Sequence, residues 1–198
     1  MKDKPTAEFL LEMGELVVDA MTTTDAVREI PVVGSAFKAV KAMDDIRSHL
    51  LARKIGKFLS EPGLVATVAA LKASERIFED PEHARAVGET LLMVLDKVTD
   101  LEKPVLLAKV YAAYLNGDIK QEMLMMIVHA IDISANIDLQ MFIGNRAEIP
   151  STSSEWKGRL VHAGLFKLGY ASVQFGGAAS ASVTPIGQAL KDIVRRNA

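Results

Sequence analysis

Cysteine is absent from this chain of 198 residues. Its absence excludes a disulfide framework, a thiol nucleophile, an iron–sulfur cluster and a cysteine-bound zinc site. An excess of charge is also missing, because 23 lysines and arginines oppose 25 aspartates and glutamates and leave a formal net charge of −2. No strong field of the whole molecule therefore favours nucleic acid or an anionic membrane surface.

Long apolar runs are missing as well, although 49% of the residues are hydrophobic, which is enough for a sizeable core. The apolar stretch near the N-terminus is interrupted by four acidic residues, Glu8, Glu12, Glu15 and Asp19. A signal peptide needs an uninterrupted apolar centre, and a spanning helix needs about 20 apolar residues. We therefore expect a cytoplasmic protein without a membrane span.

The short motifs of the common enzyme classes are lacking too. The chain has neither the glycine-rich phosphate loops of nucleotide-binding proteins nor a G-x-S-x-G nucleophile elbow. Ser35 and Lys38 match the S-x-x-K pattern of serine nucleophiles without its partner motifs, so we interpret them as a helix cap and a solvent lysine. The four histidines form no Glu-x-x-His unit of the kind that binds iron in bundles. We predict no catalytic site, no metal and no cofactor, and a protein that is not an enzyme.

What the chain does contain is helical periodicity. Apolar residues recur at spacings of three and four between proline, glycine and asparagine breaks. The segments with this pattern are 6–21, 35–60, 64–78, 82–98, 105–115, 119–133, 136–143, 155–163 and a last helix from Pro185. Segment 105–115 is apolar on nearly every side and is expected at the centre. Segments 170–175 and 180–183 alternate with period two, which is typical of a hairpin. The predicted fold is mainly α, a helical bundle of seven to eight helices with a small C-terminal β-hairpin.

The C-terminal part carries a specific order of elements. Leu160-Val161-His162-Ala163-Gly164-Leu165 precedes the hairpin, and Thr184-Pro185-Ile186-Gly187 follows it. This order resembles the closing half of a winged-helix domain, in which a Leu-x-x-x-Gly-Leu helix end, a two-stranded wing and a Thr-x-x-Gly helix succeed one another. The resemblance implies a winged-helix-like subdomain, and such domains bind either DNA or only protein.

Three parts of the chain are predicted: an N-terminal amphipathic arm (1–29), a helical bundle (30–145) and the winged-helix-like subdomain (146–198). The layout begins with Ile30-Pro31-Val32-Val33-Gly34 before a long helix and ends in the Thr-Pro-x-Gly tail. It resembles Abi-alpha-type abortive-infection proteins and other small helical bacterial proteins of unassigned activity. That resemblance implies a role in phage defence and assigns no functional residues.

Positive charge is concentrated near the C-terminus, where residues 151–198 hold six cations against two anions. The sign suits phosphate contact. The candidate nucleic-acid-binding residues are Lys157, Arg159, Lys167, Arg195 and Arg196. The hairpin segment 170–183 carries no charge, whereas a wing that grips phosphate normally does. Nucleic acid is therefore predicted as a weak partner.

Two apolar features point to protein contacts. Phe9, Met13 and Leu16 form a stripe that we expect to dock on the body of the protein or on a second protomer. Met123 and Met126 share a helix face and can line an adaptable protein-binding groove, with core filling as the alternative. We predict a non-enzymatic binding or regulatory protein that acts through a protein partner or self-association. The alternative is a winged-helix nucleic-acid-binding regulator.

Overall fold

The computed structural model describes residues 46–73, 81–144, 155–169 and 180–196. In these parts the protein is mainly helical, with a small two-stranded antiparallel hairpin near the C-terminus, which confirms the predicted fold class. The elements are α1 (Ile46–Leu59), α2 (Pro62–Ala73), α3 (Pro81–Lys97), α4 (Lys103–Leu115), α5 (Gln121–Ile133), α6 (Asn136–Ile143), α7 (Glu155–His162), β1 (Phe166–Gly169), β2 (Ser180–Val183) and α8 (Pro185–Arg196). No helix in the described ranges is long and apolar enough to cross a bilayer.

Most of the helices begin and end close to the bounds predicted from the spacing of apolar residues. The bounds of α6 are as predicted, and those of α3, α4, α5 and α7 differ from the predicted segments by at most two residues. The first strand is different, because β1 begins at Phe166, ahead of the predicted segment 170–175, which lies outside the described residues. The side chain of Phe166 packs in the core, and the pairs Phe166–Val183 and Gly169–Ser180 mark the two ends of the ladder.

The chain forms two compact units, Met1–Asn116 and Gly117–Ala198. The predicted winged-helix-like subdomain lies within the second unit, which also contains α5 and α6. The described residues begin after the predicted arm and after the first eleven residues of segment 35–60. The predicted division of the chain into three parts stays a prediction.

In the first unit, α4 is packed against both α1 and α2, and α1 also contacts α3. Leu107, Val110 and Tyr111 of α4 are fully buried, as expected from a segment that is apolar on most sides. The Lys54 ammonium in α1 donates to the Asp96 carbonyl in α3 at 3.0 Å, which satisfies a buried cation. The 105–115 segment is therefore a buried helix, as predicted.

In the second unit, α8 packs on α5 and β2, and α7 packs on α6 and β1. Three aromatic rings form its centre: Phe166 meets Phe142 and Trp156 edge-on, with ring centroids 5.2 and 5.7 Å apart. Edge-to-face geometry places the positive edge of one ring on the negative face of the next. These contacts join α6, α7 and β1 into one core.

Thr184 connects the end of α7 to the start of α8. Gly164, with φ +76°, ends α7 in the left-handed region that glycine adopts without strain. The Thr184 hydroxyl donates to the Gly164 carbonyl at 2.6 Å and accepts the Gly187 amide at 3.1 Å. Thr184 is thus the N-cap of α8, with Pro185 in the first helical position, as the sequence predicts.

Candidate interaction surface

Helix α5 has a buried apolar side and a partly apolar exposed side. Its buried residues are Leu124, Ile127, Val128, Ala130 and Ile131. Its exposed residues are Glu122, Met126, His129 and Ile133, at spacings of four, three and four. That spacing forms one stripe along the helix. Met126 and Ile133 are 43% and 42% exposed, so α5 presents large apolar side chains to solvent.

Helix α6 also presents an exposed apolar side chain. Ile137 lies in its first turn and is 68% exposed, whereas Leu139 and Phe142 are buried. We call Met126, Ile133 and Ile137 the α5–α6 apolar face. Exposed apolar patches are typical of surfaces that bind another molecule.

The two predicted methionines take different positions. Met126 is on the α5–α6 apolar face, so core filling does not describe its side chain. Met123 is half-buried at the edge of the same helix. Phe9, Met13 and Leu16, the other predicted protein-binding residues, lie outside the described residues.

Ile133 and Ile137 were missed by sequence reasoning. The available signal was the apolar content of α5, QEMLMMIVHAIDI, in which nine of 13 residues are apolar. One buried face of a helix accommodates fewer than that. Which of these apolar residues faces outward depends on how α8 packs on α5, a contact distant in sequence.

Arg159, a predicted phosphate-binding residue, is held by a carboxylate. Its Nε and Nη2 atoms donate to Asp138 Oδ2 and Oδ1, both at 2.6 Å. The Asp138 side chain is 1% exposed and that of Arg159 is 55% exposed. The hydrogen bonds that the Arg159 guanidinium donates to Asp138, together with the nearby negative charges, raise its pKa above the ordinary value despite opposing desolvation. The pair neutralises a buried carboxylate and ties α7 to α6.

Two further cations are also engaged. Arg196 Nη1 lies 3.3 Å from Asp118 Oδ1. The Lys157 ammonium lies over the Trp156 ring, 5.6 Å from its centroid, at a distance where cation–π attraction acts. Both contacts compete with any phosphate for these charges.

Lys167 on β1 and Arg195 on α8 are exposed. Neither side chain forms an ion pair with another described residue. Lys157 and Arg159 are two positions apart on α7, so their side chains point about 200° apart around the helix. Few of the five predicted cations can therefore contact the same nucleic-acid backbone at once.

Lys191, in the middle of α8, is a further partly buried cation. Its ammonium lies 4.7 Å from the Phe142 ring centroid. Desolvation, followed by the nearby Arg195 charge, lowers the pKa of Lys191 below its ordinary value. This lysine belongs to the packing between α8 and α6.

Among the described residues, no group of three or more histidines, aspartates and glutamates is placed to hold a metal ion. In the comparisons with known proteins, no family model matches the chain, and no curated protein or solved structure matches it. The functional argument therefore depends on the surface itself.

Proposed function

We propose that this is a non-enzymatic binding protein that acts through protein contacts, with the α5–α6 apolar face as its contact surface. The observation that carries the proposal is the exposure of Met126, Ile133 and Ile137 at 43%, 42% and 68%. Covering such side chains removes apolar area from water and favours association. Methionine adds an adaptable, polarizable side chain of the kind found at protein-binding surfaces.

The apolar face is separable from the fold. The core of the second unit is filled by other residues of the same helices, including Leu124, Ile127 and Leu139, each fully buried. Polar substitutions on exposed positions change stability little, usually within about 0.5 kcal/mol. Binding and folding can therefore be measured independently.

The test is site-specific photo-crosslinking in the native host. A photoreactive residue at position 133 in the full chain is expected to give a discrete crosslinked protein species. The same residue at position 93 is the matched control, because Met93 is also exposed, at 62%, but lies on α3 in the first unit. Equal crosslinking at both positions, or none at position 133, contradicts the proposed surface.

A substitution pair gives a second readout. Ile133→Lys combined with Ile137→Lys is expected to abolish a crosslink from position 126, while Met93→Lys leaves it unchanged. Thermal melting of both variants should stay close to that of the parent protein. A crosslink that survives the double substitution shows that another surface makes the contact.

Nucleic-acid binding is the second candidate function. It is supported by the hairpin next to α7 and by exposed Lys167 and Arg195. It is weakened by the carboxylate contacts of Arg159 and Arg196, which reduce the charge available to phosphate. We therefore rank it below protein binding.

The layout resemblance to Abi-alpha-type proteins supports placing these contacts in phage defence. The expected result is a lower plating efficiency of phages on cells that make the protein than on cells that make the Ile133→Lys, Ile137→Lys variant. Equal plating on both contradicts a defence role for this surface and leaves the crosslinking result unaffected.

A further inference from the structure

We infer that the α5–α6 apolar face binds a cationic amphipathic helix of another protein, one whose apolar stripe is flanked by lysine or arginine. This inference rests on the proposed function and specifies the kind of partner. Helices α5 and α6 combine exposed apolar side chains with carboxylates, and their sequences contain neither lysine nor arginine. The surface therefore offers apolar area and negative charge together.

The exposed side of α5 has the shape of a ridge that a second helix can accommodate. We call Glu122, Met126, His129 and Ile133 the α5 stripe, because these four exposed residues follow one another at spacings of four, three and four. Rows of side chains with this spacing pack into the grooves of another helix. The 13 residues of α5 extend over about 20 Å, so about four turns of a partner helix can follow the stripe.

The carboxylates of α5 and α6 give this surface its charge. They are Glu122, Asp132 and Asp138. Asp138 is buried and held by Arg159, so it adds no charge at the surface. Glu122 is exposed at one end of the stripe, and Asp132, three residues after His129, is half-buried at its edge. The border of the apolar surface is therefore acidic.

Helix α8 packs on α5, but its cations are directed elsewhere. Arg196 Nη1 lies 3.3 Å from Asp118 Oδ1. The Lys191 ammonium lies over an aromatic ring of α6. Arg195 comes two residues after the buried Ile193, so it points about 200° away from that side of α8. These cations leave the acidic border of the stripe in place.

The charge of the stripe selects among the possible occupants. Glu122 forms no ion pair with another described residue. A second copy of this surface would bring the same Glu122 and no lysine or arginine from α5 or α6, and an anionic membrane would also be repelled. A helix with lysine or arginine beside its apolar stripe supplies the opposite charge, and the methylene stems of these residues cover further apolar surface.

Binding of two designed peptides to the full chain tests the inference. Both are helices of roughly 18 residues, or about five turns, with the same leucine stripe. The stripe is flanked by lysine in one peptide and by glutamate in the other. Fluorescence anisotropy of the labelled peptides gives the two dissociation constants. We expect the lysine peptide to bind about tenfold more tightly than the glutamate peptide.

Variants of the protein show whether the lysine peptide binds at the stripe. Glu122→Gln is expected to weaken its binding about threefold to fivefold. The matched control is Glu155→Gln, which removes an exposed carboxylate from α7 and should change nothing. Met126→Gln combined with Ile133→Gln should weaken binding at least about tenfold, because both apolar contacts are lost. Met93→Gln, at an exposed position of α3, should leave binding unchanged.

Several results would overturn the inference. Equal affinity for the two peptides does so, as does tighter binding of the glutamate peptide. Binding of the lysine peptide that is insensitive to the stripe variants places the contact elsewhere and also overturns it, and so does a photo-crosslink from position 133 to a second copy of this chain. If neither peptide binds while that crosslink captures a different protein, the inference is wrong and the proposed function stands. Without any crosslink from position 133, the proposed function itself fails.

Discussion

At the scale of single residues, Tyr111 combines a buried ring with a hydroxyl that lacks a partner in the described part of the chain. Its ring is fully buried, 6.0 Å from the Phe58 ring and 6.1 Å from the Tyr114 ring. Among the described residues its hydroxyl has no hydrogen-bond partner. Burial, with a smaller effect from Tyr114, raises the pKa of the Tyr111 phenol far above its ordinary value.

The raised pKa predicts an alkaline loss of stability. The unfolded chain releases the Tyr111 proton near pH 10, whereas the folded chain retains it. The contribution of Tyr111 to the free energy of unfolding is therefore fully present below about pH 10. Above that pH it falls by about 1.4 kcal/mol per pH unit. Tyr111→Phe removes that slope, and near pH 7 it should be neutral or stabilise by up to about 1 kcal/mol, because it removes an unpaired hydroxyl.

Urea unfolding of the parent and Tyr111→Phe proteins at pH 7, 9 and 11 checks this prediction. The difference between the two proteins should be constant from pH 7 to 9 and should then shift in favour of phenylalanine. A difference that is the same at all three pH values shows that the phenol ionises equally in the folded and unfolded chains.

Substituting the two partners of the Asp138–Arg159 ion pair is expected to change the melting temperature by unequal amounts. Arg159→Ala leaves a buried carboxylate without its partner, whereas Asp138→Asn removes the buried charge and leaves a half-exposed guanidinium in water. Arg159→Ala should therefore lower the melting temperature more than Asp138→Asn does. Adding Asp138→Asn to Arg159→Ala should recover part of the loss. Equal effects of the two single substitutions would falsify the view that the carboxylate is the costly partner.

At the scale of elements, α8 approaches the α7–β1 turn more closely than any side chain at position 187 allows. A Cβ at Gly187 would meet the Leu165 carbonyl oxygen and lie 2.9 Å from Phe142 Cζ and 3.0 Å from Val183 Cγ1. Glycine is the residue that permits such an approach. The Thr-Pro-x-Gly sequence thus sets both the cap of α8 and its packing distance.

Two alanine substitutions test this point. Gly187→Ala should destabilise the protein by about 1–3 kcal/mol, because the added methyl group meets backbone and core atoms. Gly158→Ala is the matched control inside α7, where a Cβ has no neighbour within 4 Å. It should stabilise by about 0.5–1 kcal/mol through helix propensity. Denaturant titration compares them, and a neutral Gly187→Ala contradicts the close contact.

Replacing a leucine of helix α4 by alanine is expected to destabilise the protein more at the centre of the helix than at its end. Leu107 is fully buried, whereas Leu115, the last residue of the helix, is partly exposed. Leu107→Ala should cost about 2–5 kcal/mol of the free energy of unfolding, and Leu115→Ala should cost clearly less. Calorimetric melting of both proteins checks the order, which a peripheral α4 would reverse or abolish.

At the scale of the whole molecule, charge is spread and partly neutralised. Arg159 and Arg196 contact carboxylates and Lys157 lies over an indole ring, so Lys167 and Arg195 are the principal remaining charges of the predicted set. Two to four phosphate contacts support only non-specific association. The net charge of −2 adds no attraction of its own.

We therefore expect weak binding of duplex DNA, with dissociation constants on the order of 10⁻⁴–10⁻⁶ M at physiological salt. Fluorescence anisotropy against pooled genomic fragments at two salt concentrations measures it. Sub-micromolar, sequence-dependent binding that is lost in a Lys167→Ala, Arg195→Ala variant would make the winged-helix regulator the leading function.

Local spacing was sufficient to predict much of the fold. Within the described residues, the helical segments, the burial of α4, the Thr184 cap and the second strand all follow from residues within a few positions of one another. Helix and cap formation depend on neighbours three and four residues away, so a linear pattern contains that information. The start of β1 was not predictable in this way, because Phe166 is placed by rings from α6 and α7.

Only the tertiary structure decided which candidate residues are available for function. Asp138 holds Arg159 across 21 positions of the chain, and Asp118 holds Arg196 from the far end of the second unit. The packing of α8 on one side of α5 leaves Met126 and Ile133 outside. The sequence gives the number and the spacing of the charged and apolar residues. Which of them are neutralised or covered depends on contacts distant in sequence, and those exist only once the helices have packed.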